Sequence, residues 1–350
     1  MDREGRARFF TAGLAVLLPL IIGLSIMTGA VPVSLENFIG LLKNWLGLDV
    51  PNAAEQGQAW MVVEVIRLPR TILGAVVGST LAICGGAMQG LFRNPLADPS
   101  IIGVSSGAAL GAGVGIVLIG LLPAALTSVL QVYTVPFLAF LGGFGATLLV
   151  YKIGTTSNGS SVATMLLAGI AIGALSGAGM GILNYVADDT MLRNLTFWQM
   201  GSLSGATWEQ LTFIVPVLLG IQIIMVSQAK GLNALLLGES EARHLGHNIQ
   251  NLKSRLIILT ALGVGVSVSV SGMIGFVGLV VPHLVRMSIG PDHRYLLPAS
   301  ALLGASLLLF ADVIARVVIS PAELPIGIVT ALLGAPFFMS LLWQQRNRIG

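Results

Sequence analysis

Charged residues are scarce in this sequence. Only 9% of its 350 residues are Asp, Glu, Lys or Arg, whereas 55% are hydrophobic. Because soluble domains carry roughly 25% charged residues, a water-soluble globular fold is excluded. The mean hydropathy of +0.90 instead predicts an all-α polytopic membrane protein. We expect residues 1–350 to form a single transmembrane domain.

Cysteine and clustered positive charge are also lacking. The single cysteine, Cys84, excludes an intrachain disulfide framework, and its apolar sequence neighbours predict a buried small residue. The net charge is only +3, and the basic residues lie beside apolar segments instead of forming a patch. We therefore expect no nucleic-acid partner.

The sequence has no nucleotide-binding loop. Such a loop needs glycines whose amides cradle phosphate, ending in Gly-Lys-Ser or Gly-Lys-Thr. The Lys253-Ser254 pair follows Leu252 and has no glycine cradle. We therefore expect neither a cofactor nor enzymatic activity in this chain. If ATP drives the protein, another chain must hydrolyse it.

Carboxylates are nearly absent from the middles of the apolar segments, where a proton- or sodium-coupled carrier would place them. Asp312 and Arg316 are four residues apart on one segment, so we expect them to pair. The charges that do enter the segments lie near one end: Glu64, Arg67, Arg70, Asp312, Arg316 and Glu323. This pattern disfavours a secondary transporter that works without an ATPase. A non-transporting membrane scaffold is a second alternative.

The histidines do not predict a metal site. His283 lies alone beside Pro282 within an apolar segment, which is typical of a hydrogen-bonded core group. His244 and His247 are three residues apart, but they lie in a hydrophilic stretch where we expect them to be solvated.

Ten apolar segments approach the length of about 20 residues that a membrane-spanning helix needs. They are 11–31, 67–90, 101–118, 135–151, 162–185, 211–226, 256–272, 276–289, 296–318 and 325–343. In this arrangement thirteen of the 18 Lys and Arg residues lie on the side of both termini. The positive-inside rule then places both termini in the cytoplasm.

Glycine and proline spacing predicts an inverted repeat. A proline follows a glycine by ten residues in Gly85–Pro95 and again in Gly272–Pro282. The first pair begins on a descending span and the second on a rising one. We therefore predict that spans two to five and seven to ten are inverted repeats, a common plan of transporters.

A loop on the outer side, residues 33–59, is polar and amphipathic. Its apolar residues recur at helical spacing: Leu35, Phe38, Leu41, Leu42 and Trp45. This spacing predicts a helix that lies on the membrane surface.

A polar stretch, residues 230–255, interrupts the apolar segments. Within it, Gly238 and Gly246 bracket enough residues for about two helical turns. Acidic residues fall in the first turn, and Arg243 and His244 fall in the last, which suits the helix dipole. A short amphipathic helix here predicts a surface that another protein binds, and a solvated loop is the alternative. The candidate residues are Gly238, Glu239, Ser240, Glu241, Ala242, Arg243, Leu245 and Gly246.

Several long motifs resemble the permease subunits of ABC importers for iron siderophores, haem and vitamin B12. They are RLPRTILGAVVGSTLAICGGAMQGLFRNPLADPSIIGVSSGAALGA, LLLGESEARHLG, SGMIGFVGLVVPHLVR and ELPIGIVTALLGAPFFMSLLW, in this order from about Arg67 to Trp343. The resemblance implies a homodimer of ten-span subunits in a bacterial inner membrane. The implied partners are two ATP-binding cassette subunits, which hold ATP and Mg2+, and a periplasmic substrate-binding protein.

The resemblance also implies roles for particular residues. Residues 239–246 correspond to coupling helices that sit in a groove of the ATPase. The outer arginines correspond to residues that pair with glutamates of the binding protein: Arg67, Arg70 and Arg316. Pairing of these arginines within the chain, with Glu64, Asp312 and Glu323, is the alternative.

The fifth span corresponds to the helix that lines the transport pathway. By the same resemblance, the inner gate lies near Ser161, Val162 and Ala163. This chain departs from the family at Val162 and Ala163, where small hydroxyl residues can occur.

The stretch LRNLTFWQMGSLSGATW, residues 192–208, predicts the cargo. It is similar to the haem-importing branch of the family, and it lies at the outer mouth of the pathway. Phe197, Trp198 and Met200 form an apolar surface with few charges, which a flat porphyrin would pass readily. We therefore expect haem, with ferric siderophores and vitamin B12 as alternatives. Anchoring of the loop at the membrane interface is the other interpretation of these aromatic residues.

Overall fold

The computed structural model describes residues 3–31, 33–45, 47, 60–122, 124–156 and 159–349. Fourteen α-helices form within these residues. They are α1 Arg3–Met27, α2 Leu35–Trp45, α3 Leu68–Leu91, α4 Val104–Gly120, α5 Ala124–Ile153, α6 Val162–Val186, α7 Asp189–Met200, α8 Trp208–Ser227, α9 Ala229–Leu237, α10 Glu239–His244, α11 Ile249–Ser271, α12 Val277–Ile289, α13 His293–Val317 and α14 Ile326–Ile349. The strands β1 (Thr155–Thr156) and β2 (Gly159–Ser160) form a small antiparallel hairpin.

The predicted all-α membrane fold is confirmed. Seven described helices are long and apolar enough to cross a bilayer, and three shorter apolar ones, α4, α12 and the first part of α14, complete the ten predicted spans. The helix predicted in the loop of residues 33–59 forms as α2, and residues 46 and 48–59 of this loop lie outside the described part. A π-helical turn, Val62–Arg67, extends α3, and a 3-10 turn, Pro99–Ile102, precedes α4.

Helix α3 lies at the centre of the bundle, and 89% of its span is buried. Glycines let two neighbouring helices approach its backbone closely. A Cβ on Gly78 would collide with the carbonyl oxygen of Gly304 in α13, and a Cβ on Gly85 would collide with that of Gly278 in α12. Inside a bilayer the hydrophobic effect does not drive helices together. Small residues at such crossings instead let the two backbones pack in close van der Waals contact.

The inverted repeat appears in the way the helices pair. Helix α3 packs on α12 and α13, and its counterpart α11 packs in the same order on α4 and α5. The glycine–proline spacing that predicted the repeat does not mark equivalent positions, however. Gly85 lies within α3, whereas Gly272 ends α11 in a conformation with φ of +66°. The repeat is therefore a property of the helix packing, and that particular pair of motifs is coincidental.

We call the end of the bundle that carries the N terminus the basic end. Glu4 of α1 lies 3.7 Å from Arg294 of α13 there. At the opposite end, Arg316 donates to the carbonyl oxygen of Thr28 at 2.7 Å. The spans between the two ends contain few charges, as the sequence predicts.

A charge network holds the opposite end together. Arg70 of α3 donates from Nη2 to Asp312 Oδ1 of α13 at 2.8 Å, and from Nη1 to Glu323 Oε2 at 2.8 Å. The Asp312 carboxylate is fully buried and also pairs with Arg316 at 3.1 Å, which confirms the predicted pair four residues apart. A buried carboxylate in a low-dielectric site needs such cationic partners.

Two arginines complete this network by capping the last turn of α1. Arg67 donates from Nη1 to the carbonyl oxygens of Ile26 and Met27, at 2.8 and 3.0 Å. Arg316 donates from Nη2 to the carbonyl oxygen of Ser25 at 3.1 Å. Cations at a helix C-terminus satisfy carbonyls that have no partner within the helix and favour its dipole. The first span is thereby fixed to α3 and α13.

We predict that Asp312→Asn lowers the free energy of unfolding by about 3–5 kcal/mol, because Arg316 loses its carboxylate partner and Arg70 keeps only the more exposed Glu323. Glu323→Gln is the matched control. The Glu323 side chain is 41% exposed, so water replaces much of its contact with Arg70, and we expect a cost below about 1 kcal/mol. Thermal unfolding of both variants in detergent micelles measures the difference. Equal shifts in Tm would show that the network does not hold the helices together.

Candidate functional site

The polar stretch at the basic end folds into three consecutive helices, α9, α10 and the start of α11. The predicted two-turn helix between Gly238 and Gly246 forms as α10. Both glycines have positive φ, +120° and +86°, which separates α10 sharply from the helices on either side. Asn248 then caps α11 by accepting a hydrogen bond from the Asn251 amide at 3.0 Å.

Helix α10 presents charged side chains to solvent on one side and buries Ala242 on the other. Ala242 is fully buried, whereas Glu241 and Arg243 are exposed. Leu245 is 61% exposed, and Leu237, the last residue of α9, is 67% exposed. Apolar side chains beside exposed charges at the end of a membrane bundle are typical of a surface that binds another protein. Among the other predicted residues, Ser240 and Gly246 are exposed and Gly238 and Glu239 are half-buried.

A polar cluster ties this surface to the bundle. Asn233 of α9 donates to Asp292 Oδ1 at 2.7 Å and accepts from the His293 amide at 2.8 Å. Hydrogen bonds from the side chains of Arg294 and Asn233 lower the pKa of Asp292, which caps α13, to about 2. The carboxylate is therefore ionised at any physiological pH, and it fixes α9 to α13.

The predicted gate residues lie at the same end, at the start of α6. Ser161 caps this helix, since its hydroxyl oxygen accepts a hydrogen bond from the Thr164 amide at 3.3 Å. Val162 is half-buried, and Ala163 is exposed. The hairpin β1–β2 directly precedes them and contacts α11. The structure thus places the predicted gate beside the 238–246 segment.

A cavity of about 550 Å³ opens at the opposite end of the bundle. It contains two of the three predicted pathway residues, Phe197 and Trp198, but not Met200. Residues of four other helices and two loops also line it: Ile116, Val135, Pro136, Ser202, Ser204, Gln210, Ser269, Ser271 and Glu323. The sequence analysis did not predict that hydroxyl groups at the end of α11 line this cavity. The alternating serines of residues 267–271, SVSVS, were the pattern that could have indicated it.

The three predicted docking arginines do not lie on the outer surface. Arg67, Arg70 and Arg316 are 4%, 6% and 6% exposed, and their guanidiniums are engaged within the chain. Arg70 pairs with Asp312 and Glu323, and Arg316 pairs with Asp312, in line with the alternative that the sequence left open, whereas Arg67 donates to backbone carbonyl oxygens of α1. Burial of these charges between α1, α3 and α13 argues against direct contact with a binding protein, which stays a prediction.

Comparison with known proteins gives consistent matches over nearly the whole chain. The hemin transport system permease protein HmuU of Yersinia pestis is 47% identical over 297 residues, which cover 85% of this chain and 87% of that protein. The cobalamin import system permease protein BtuC of Halobacterium salinarum is 42% identical and covers 87% of this chain and 78% of its own length.

A solved structure matches the fold as well. It is the inward-facing conformation of an ABC transporter assigned to the metal-chelate type, with a TM-score of 0.81 and 34% identity. The match covers 95% of this chain and 98% of that one. The model of the FecCD transport family matches residues 17–344. The chain is therefore a member of the FecCD transport family, a permease subunit of an ABC importer.

Proposed function

We propose that this chain moves haem from a periplasmic binding protein into the cytoplasm, as a homodimer driven by two ATPase subunits. The observation that carries the proposal is α10, a short charged helix exposed at the basic end of a chain with no nucleotide motif. ATP and Mg2+ would bind to the partner ATPase. This chain would supply the pathway and the surface that senses ATP hydrolysis.

The orientation follows from charge. The basic end carries α9, α10 and the N terminus, so the positive-inside rule supports a cytoplasmic location for it in a bacterial inner membrane. Helix α10 then faces the ATPase, and the 550 Å³ cavity faces the periplasm. The buried arginines, Arg67, Arg70 and Arg316, would support the docking surface from within instead of contacting the binding protein.

An exposed apolar face of α6 supports the proposal that the chain forms a homodimer. On α6, Leu167, Ile170 and Leu175 are 68–70% exposed, and the helix span is only 22% buried. A helix of this kind is covered in the membrane by lipid or by another subunit. Small exposed residues beside these side chains, Ala171, Ala174 and Gly177, allow close approach of a second helix. We propose that α6 faces the homodimer axis.

Two observations favour haem as the cargo. Phe197 and Trp198 together line the outer cavity, where they offer flat apolar contact to a porphyrin. The permease from Yersinia pestis, which is 47% identical, is a hemin transport protein.

Cobalamin is the second candidate, and the rest of the cavity supports it. Ser202, Ser204 and Gln210 offer neutral hydrogen-bonding groups, which suit an amide-rich corrinoid. Glu323, although paired with Arg70, also contributes a carboxylate to the lining, which disfavours a porphyrin carboxylate beside it. The cobalamin permease of Halobacterium salinarum is 42% identical to this chain.

The experiment that decides between them is ATP-driven uptake into vesicles. The permease, its ATPase and its binding protein are reconstituted together and supplied with haem, a ferric siderophore or cobalamin. Haem should both accumulate and stimulate ATP hydrolysis. If cobalamin or a siderophore does both and haem does neither, the cargo assignment is wrong and the permease assignment stands. If no substrate stimulates hydrolysis, the proposed ATP-driven mechanism is wrong.

We predict that the double variant Glu241→Lys, Arg243→Glu assembles poorly with the ATPase, because both exposed charges of α10 are reversed. Co-purification of the ATPase should fall by about tenfold or more, the change that 1.4 kcal/mol of lost interaction produces. Asp189→Lys, Arg193→Glu on α7 is the matched control, because it makes the same reversal on exposed residues at the opposite end. Equal assembly of both double variants with the ATPase would contradict the role of α10.

We predict that Phe197→Ala slows haem uptake without impairing assembly, because it removes an aromatic face from the outer cavity. Phe213→Ala is the matched control: Phe213 is 72% exposed on α8 and does not line this cavity. Initial uptake rates in the reconstituted vesicles measure the effect. Stacking of a nucleobase on an aromatic side chain, a flat contact of comparable size, contributes about 1–3 kcal/mol. We therefore expect the uptake rate to fall by roughly fivefold or more. Equal rates for both variants would remove Phe197 from the pathway.

A further inference from the structure

Lys253 is a buried cation in a stretch that the sequence predicts to be hydrophilic. It belongs to the first turns of α11, and its side chain is only 4% exposed. Its ammonium group donates to Glu239 Oε1 of α10 at 2.7 Å and to the carbonyl oxygen of Ser160 at 3.2 Å. One buried charge therefore joins the helix that faces the ATPase to the hairpin that precedes α6.

Neighbouring residues on α11 hold the same hairpin. Gln250 Oε1 accepts hydrogen bonds from the amide and the hydroxyl of Ser160, at 3.3 and 3.2 Å. Gln250 also donates to the Tyr151 hydroxyl at 3.3 Å, and this hydroxyl hydrogen-bonds to Ser254. Positions 250, 253 and 254 share one helix face, so about one turn of α11 holds both the hairpin and the end of α5 that leads into it.

The link continues directly into the predicted gate. Ser160 is the last residue of β2, and Ser161, next in the chain, caps α6. A displacement of the Ser160 carbonyl would therefore move the first turn of α6. Separating the Lys253 ammonium from Glu239 is costly, because a buried charge without a partner is strongly destabilising. The three groups are thus expected to move together.

We propose that Lys253 is a positioning residue that transmits movement of α10 to the start of α6. The proposal rests on the proposed function, since it assumes that the ATPase moves α10. It goes further by naming the contacts that carry the movement: Glu239 carboxylate, Lys253 ammonium, Ser160 carbonyl and the Ser161 cap. The Glu239 side chain is 37% exposed, so the ATPase-facing surface reaches this link directly.

The test uses the whole permease–ATPase complex and four single variants. Lys253→Met and Glu239→Gln break the ion pair from its two sides, and Glu239→Gln does so without leaving an empty volume. Lys253→Arg retains the charge and is expected to rescue. Lys152→Met is the matched control, because Lys152 is an exposed lysine at the same end, outside this link. The readouts are substrate transported per ATP hydrolysed and a spin label at position 163. The label is attached to Ala163→Cys, since the native Cys84 is buried.

In the parent complex, and in the complexes that carry Lys152→Met or Lys253→Arg, a non-hydrolysable ATP analogue should change the mobility of the label at position 163. In Glu239→Gln and Lys253→Met this change should disappear, and transport per ATP should fall by about tenfold while ATP hydrolysis continues. An unchanged label response and an unchanged transport-to-ATP ratio in both variants would overturn the proposal.

Failure of the proposed function gives a different result. In that case the parent complex itself neither assembles with the ATPase nor responds to the ATP analogue. Hydrogen exchange of residues 155–164 in the permease alone then still tests the link. We expect about tenfold faster exchange in Glu239→Gln than in Lys152→Met, and equal exchange would overturn the link itself.

Discussion

The pairing of Arg70 and Arg316 with the buried carboxylate of Asp312 is the interaction on which the arrangement of helices depends. It joins α3 to α13, and Arg316 and Arg67 then hold the last turn of α1. Because a bilayer offers no counter-charge, these groups are satisfied only when all three helices are packed together. One end of the molecule is thereby closed by internal charge pairs.

At the basic end, most charged side chains face solvent instead of pairing inside the bundle. Glu241 and Arg243 remain exposed on α10. Within residues 230–255, the buried cation Lys253 is paired with Glu239. Between the ends, the described spans interact through glycines and through neutral groups such as Gln222, which donates to Ser79 and Thr80 at 2.8 Å. Surfaces for charged partners are therefore confined to the two ends. This division of charge matches a permease that receives substrate at one end and contacts an ATPase at the other.

The sequence predicts local features well and distant contacts poorly. Ten spans and the α10 helix could be predicted because hydropathy and flanking glycines act within a few residues. The burial of Arg70 could not be predicted in this way, because its partner Asp312 lies 242 residues away in the chain. The burial of Lys253 could not be predicted for the same reason, since Ser160 reaches it only through the fold. The cavity combines hydroxyl groups from α11 with aromatic residues from α7, which sequence proximity does not connect.

The central claim is that α10 contacts the ATPase and that the cavity faces the binding protein. Site-specific photo-crosslinking in intact cells tests it most directly. A photoreactive residue at position 245, on the exposed Leu245, should crosslink to the ATP-binding cassette subunit. The same residue at position 193 on α7, at the opposite end, should crosslink to the periplasmic binding protein and not to the ATPase. A crosslink from position 245 to the binding protein, or from position 193 to the ATPase, would contradict the account.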